Sequence, residues 1–171
     1  PGAWMALGER LLDVGELAEA KVALEKYAAM QPDDGYAFAL LGNLASLQGD
    51  VKTSISQHER ALELKPGFPV ALLGLARSRY LEGDWDGAVE HWQLLLDDVE
   101  AAAGFRIDAA FDLAGVFAGR GQFAESMLPI SAVMPLIREE SLRTALALST
   151  LGQAEFKLGN AERAAVLLDE A

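Results

Sequence analysis

Cysteine is absent from the 171-residue chain, which excludes disulfides, thiolate metal sites and thiol nucleophiles. Histidine is scarce. His58 and His91 are too few for a metal or acid–base centre unless other ligands converge on them. Basic charge is short as well, with 14 Lys and Arg against 26 Asp and Glu, for a net charge of -12. A field of that sign repels phosphate backbones and anionic bilayers, so nucleic acid is not expected as a partner. No unbroken apolar run approaches the roughly 20 residues of a membrane-spanning helix, so direct membrane insertion is not expected either. Pro1-Gly2-Ala3-Trp4 also lacks the basic start and apolar core of a signal peptide. Cysteine usage does not fix the compartment; the cytoplasm is favoured, with the bacterial periplasm as the other setting. What is present, 51% hydrophobic and 23% charged residues, is the composition of a folded domain.

The apolar residues recur in a long period. Gly15, Gly49, Gly83, Gly121 and Gly159 are spaced 34, 34, 38 and 38 residues apart. Eight residues before each stands a leucine: Leu7, Leu41, Leu75, Leu113 and Leu151. A small residue follows every leucine (Gly8, Gly42, Ala76, Ala114, Gly152), and another falls five residues after every glycine (Ala20, Ser54, Ala88, Ser126, Ala164). In the first unit Trp4, Leu7, Gly8 and Leu11 fall at i, i+3, i+4 and i+7, one face of a helix. Gly15 supplies the left-handed residue that ends it, and Pro32 stops a second helix carrying Leu17, Ala20, Leu24 and Tyr27. Each unit is a helix–turn–helix hairpin that cannot bury its own apolar face and must stack on its neighbours.

A hairpin of 34 residues reading Trp4-x-x-Leu7-Gly8-x-x-Leu11, then Gly15, Ala20, Leu24 and Pro32, resembles the tetratricopeptide repeat (TPR) family. The resemblance covers nearly the whole chain, as one TPR domain over 1–171 with about five repeats at 1–34, 35–68, 69–102, 107–140 and 145–171. The last is incomplete, and without a polar capping helix the chain reads as part of a longer protein. The implied fold class is all-α, a right-handed superhelical solenoid of antiparallel helix hairpins. Two departures stand out. Pro129 lies inside the second helix of the fourth unit and predicts a kink or a shortened helix at Ser126–Pro129. A four-residue insertion falls near Ala103–Arg106, and the stretch 99–106 is where an elongated helix or an altered superhelical turn is expected.

Catalytic motifs do not emerge, so the chain reads as no enzyme, with no catalytic residues, no metal ligands and no cofactor. No HExxH includes His58 or His91, and Gly119-Arg120-Gly121 reads as a helix stop. Asp84-Trp85-Asp86-Gly87 lacks the further ligands of a calcium loop; it reads as a turn with Trp85 packed inward and an Asp capping the next helix. Asp97-Asp98-Glu100 and Glu139-Glu140 read as solvated helix ends.

In the family the first helices of successive hairpins line a concave wall. Helix geometry then points to side chains one step around from the packing stripe. The resulting groove candidates are Met5, Glu9 and Leu12; Tyr36, Leu40 and Asn43; Arg77 and Tyr80; Phe111 and Asp112; Gln153 and Phe156. Large apolar residues interleaved with a few polar ones suit an extended segment or an amphipathic helix. The expected function is a non-catalytic protein–protein interaction scaffold whose partner is a protein or peptide. A regulatory or substrate-presenting arm of a larger enzyme, and self-assembly into a homo-oligomer, are the alternatives. Members that clamp a terminal carboxylate use basic residues where Met5 and Val70 stand here, which argues against that ligand.

Overall fold

The computed structural model describes residues 1–137 and 142–171. Among these are ten α-helices, one short 3-10 helix and no strand. The helices are α1 (Gly2–Asp13), α2 (Leu17–Met30), α3 (Gly35–Leu47), α4 (Val51–Leu64), α5 (Pro69–Glu82), α6 (Trp85–Asp97), α7 (Ala103–Gly119), α8 (Phe123–Val133), α9 (Leu142–Lys157) and α10 (Ala161–Asp169), with the 3-10 turn at Met134–Leu136. The chain divides into two compact units, Pro1–His91 and Trp92–Ala171, and the boundary falls inside α6.

Every hairpin turn is built in the same way. The recurring glycines have positive φ, from 75° at Gly121 to 95° at Gly83. Just beyond each, a backbone N–H reaches back five residues: Glu16 to Leu11, Asp50 to Ala45, Asp84 to Arg79, Gln122 to Phe117 and Asn160 to Glu155, all at 2.9–3.0 Å. That bond satisfies a carbonyl the helix leaves without a partner, and it needs a left-handed residue between. Acidic caps open several helices. Asp34 accepts from the Tyr36 N–H at 2.9 Å, Asp50 from Thr53 at 3.1 Å and Asp84 from Gly87 at 3.0 Å.

In the first unit the core joins Ala20 and Leu24 of α2 to Leu40 and Leu44 of α3, with Leu12 and Tyr36 packed against them. A second cluster joins Ala39, Ala61, Phe68 and Ala71. The Tyr27 hydroxyl donates to Asp34, so the bulky residue at the end of α2 ties that helix to the cap of α3. In the second unit Ala114, Ile130, Ala147 and Leu151 join α7, α8 and α9.

Some expectations need correction. Trp85 is not packed inward: it is half-exposed and stacks on Tyr80 with ring centroids 6.5 Å apart, because the Asp84 cap starts α6 with that residue turned outward. Leu7, placed on a packing stripe, is 44% exposed, whereas Gly8 beside it is buried under Leu24. Of the kink or shortened helix expected at Pro129, the helix is shortened: α8 has 11 residues against 14 in α2 and α4, but it runs on past the buried Pro129 to Val133 before the 3-10 turn. The inserted stretch leads into α7, which at 17 residues carries the expected elongation. Glu139 and Glu140 lie outside the described residues.

Candidate functional site

The 34-residue period places equivalent residues of α1, α3 and α5 side by side, with α3 lying against both others. Ala6, Leu40 and Gly74 form one row; Glu9, Asn43 and Arg77 a second; Asp13 and Leu47 belong to a third. All of these line a single groove of about 830 Å³ in the first unit, together with Arg10, Leu12, Ser46 and His58. Leu40 and Leu47 supply apolar surface. The middle row runs from an acid through an amide to a base.

His58 belongs to α4, the second helix of its hairpin, yet it lines the groove. The ring is fully buried and passes between two glycines: a Cβ on Gly42 would fall 2.7 Å from it, and one on Gly74 2.2 Å. Nε2 lies 3.2 Å from Asn43 Oδ1 and Nδ1 3.3 Å from Ser54 Oγ. Ser54 Oγ donates to the Gly42 carbonyl and Ser78 Oγ to the Gly74 carbonyl, each at 2.8 Å, and the two hydroxyl oxygens are 2.8 Å apart. Burial lowers the imidazole pKa to about 4, against a smaller opposing effect from Ser54, so the ring is neutral at pH 7. The ring thus meets the Asn43 amide from behind, through Nε2 and Oδ1, and the Ser54 hydroxyl through Nδ1.

The carboxylate of Glu9 is held from the side by the Tyr36 hydroxyl, whose pKa is raised to about 12, chiefly by burial and then by that bond. Tyr36 also meets Phe68 edge-on at 5.9 Å.

Of the sequence-derived candidates, Glu9, Leu12, Leu40, Asn43 and Arg77 come together in the groove. Leu40 is only 5% exposed and belongs to the core cluster, so it forms the floor rather than a projecting contact. Met5 and Tyr36 pack against that core, and Tyr80 stacks with Trp85; none of the three lines the groove. Phe111, Asp112, Gln153 and Phe156 belong to the second unit. There Phe111 packs on the α7–α9 cluster, Asp112 is half-buried, Gln153 donates to Ser149 at 3.1 Å, and Phe156 is exposed. Sequence reasoning missed His58 and Gly74. The signal available for them was an imidazole at an apolar position of α4 facing glycines at 42 and 74.

His91 bonds to the Gly87 carbonyl at 2.6 Å, within its own helix. Among the described residues no three His, Asp or Glu side chains are grouped to hold a metal, and no helix is long and apolar enough to cross a membrane.

No family profile matches the chain. Over 79 residues, 46% of its length, it is 32% identical to the probable biofilm formation methyltransferase WspC of Pseudomonas putida, of which it spans 19%. Over 106 residues, 59% of its length, it is 31% identical to the CTR9 homolog of Arabidopsis thaliana, of which it spans 10%. The chain thus spans a fifth or less of these curated relatives. Among solved structures, PilF of Pseudomonas aeruginosa superposes with a TM-score of 0.86 at 17% identity, covering 98% of this chain and 73% of that one. A crystal structure of MamA gives 0.77 at 16%, covering 96% and 91%. YrrB, described as a TPR protein with an unusual peptide-binding site, gives 0.68 at 18%, covering 98% and 82%.

Helix order, recurrent turns and groove define an all-α protein of repeated helix hairpins. More narrowly, the fold is that of the tetratricopeptide repeat, the ten helices among the described residues making about five repeats.

Proposed function

We propose that the chain is a non-catalytic interaction module that holds a peptide segment of a partner protein in the groove of α1, α3 and α5. The observation behind this reading is the groove itself: one concave surface of about 830 Å³ that offers apolar side chains beside a row of orienting polar groups. Leu47 is 59% exposed on its rim, where the packing of helices does not need a leucine. The peptide-binding site named for YrrB agrees with such a use of the fold.

The test uses random dodecapeptides displayed on phage and selected against the whole chain. Retained peptides are expected to bind at least about tenfold more weakly to Leu47→Asp, since a peptide covering this position would lose an apolar contact and bury a carboxylate in its place. Peptides bound equally well by Leu47→Asp would remove the groove from the account.

The similarity to WspC, a probable methyltransferase, favours a second reading for the whole protein: a binding arm joined to a catalytic region outside this chain. The sequence of the complete gene decides it, and a full-length product with no catalytic domain would end it.

A further inference from the structure

Glu9, Asn43 and Arg77 are separated by one repeat each, so they occupy the same height on three neighbouring helices. Charge therefore changes sign across the groove. The α1 wall carries Glu9 and Asp13 with one base, Arg10, whereas the α5 wall contributes Arg77 as its ionisable group in the groove lining. His58 beneath them is neutral at pH 7. Neighbouring helices stand about 8–10 Å apart, so the span from Glu9 to Arg77 is roughly 16–20 Å. At about 3.3 Å per residue, an extended chain crosses that span in roughly five or six residues. A helix rising about 1.5 Å per residue needs roughly eleven to thirteen.

We propose that the groove takes an extended segment carrying one basic and one acidic side chain roughly five or six residues apart. The basic group sits on Glu9 and Asp13, the acidic group on Arg77, and the backbone between them meets Asn43. This rests on the groove reading and adds the chemistry and direction of the occupant. Complementary charges at the two ends reject segments laid the wrong way round, because reversal sets like charges together at both.

The phage-selected peptides are resynthesised with both termini capped, so that only side chains carry charge, and their affinities are measured by fluorescence anisotropy. Enriched sequences are expected to share a basic and an acidic residue at the extended spacing. Arg77→Glu is expected to weaken them about tenfold, and a fresh selection against that variant should replace the acidic residue by a basic one. Glu9→Gln, which still accepts from the Tyr36 hydroxyl, is expected to relax the preference for a base. Circular dichroism of each variant checks that the helices remain.

Peptides that depend on Leu47 but show no charge pair, show a spacing of eleven or more, or ignore Arg77→Glu would overturn this proposal and leave the groove reading standing. An empty selection, or peptides indifferent to Leu47→Asp, would remove both.

Discussion

Below about pH 6.5 an exposed histidine in the unfolded chain takes up a proton, while the His58 ring, with a folded pKa of about 4, does not. Its neighbours Asn43, Ser54 and Ser78 are uncharged hydrogen-bonding groups and give an imidazolium no counter-ion. The stability contributed by the neutral ring is therefore full above about pH 6.5 and is withdrawn as pH falls from there to about 4. A displacement of that size corresponds to about 3 kcal/mol. In urea unfolding, the difference in stability between the native protein and His58→Leu is expected to move by about that amount between pH 7 and pH 4. A pH-independent difference would mean that the ring titrates as it does in water. Neither this burial nor the bond to Asn43 was legible from His58 alone, because Asn43 lies 15 residues away in α3 and the glycines that enclose the ring lie in α3 and α5. Trp85 failed for a related reason: hydrophobicity places a residue in a core only if its helix turns that face inward, and the Asp84 cap sets the turn.

At the scale of helices the reading was far more complete. Glycine and leucine at a fixed offset mark where each first helix ends and, Leu7 apart, which face it packs, and both signals act within one hairpin, so no distant neighbour is needed to read them. The groove was legible in part for the same reason, since Glu9, Asn43 and Arg77 follow from the period. Less legible was how closely the helices approach, which turned Leu40 from an expected contact into a floor. Gly74 tests that approach. Alanine there gains about 1 kcal/mol of helix propensity but drives a methyl into the imidazole, and overpacking of this kind costs about 1–3 kcal/mol. Gly74→Ala is expected to destabilise the native protein by about 1 kcal/mol. In a His58→Ser background the same change should become neutral or stabilising. A double-mutant cycle in urea measures the coupling, and additive effects would show that the ring does not fill the space between the glycines.

At the scale of the whole molecule, charge is the leading quantity. The net -12 is uneven along the sequence: residues 1–34 carry seven acids against three bases, 35–68 three against three, and 69–102 seven against two. Exposed ion pairs such as Arg143–Asp108 and Lys21–Glu25 offset little of it. Screening the excess repulsion is expected to raise the thermal midpoint by a few degrees between about 20 and 200 mM NaCl. A midpoint that falls with salt would show that ion pairs dominate instead.

The placement of His58 has a further consequence for any redesign of the groove. The floor beneath Asn43 is furnished from behind, through a gap kept open by two residues without side chains. Replacing side chains on the three front helices other than Gly42, Asn43 and Gly74 would leave the contact between the ring and the amide in place. A change at His58, on a helix behind these three, would alter the groove from its reverse side.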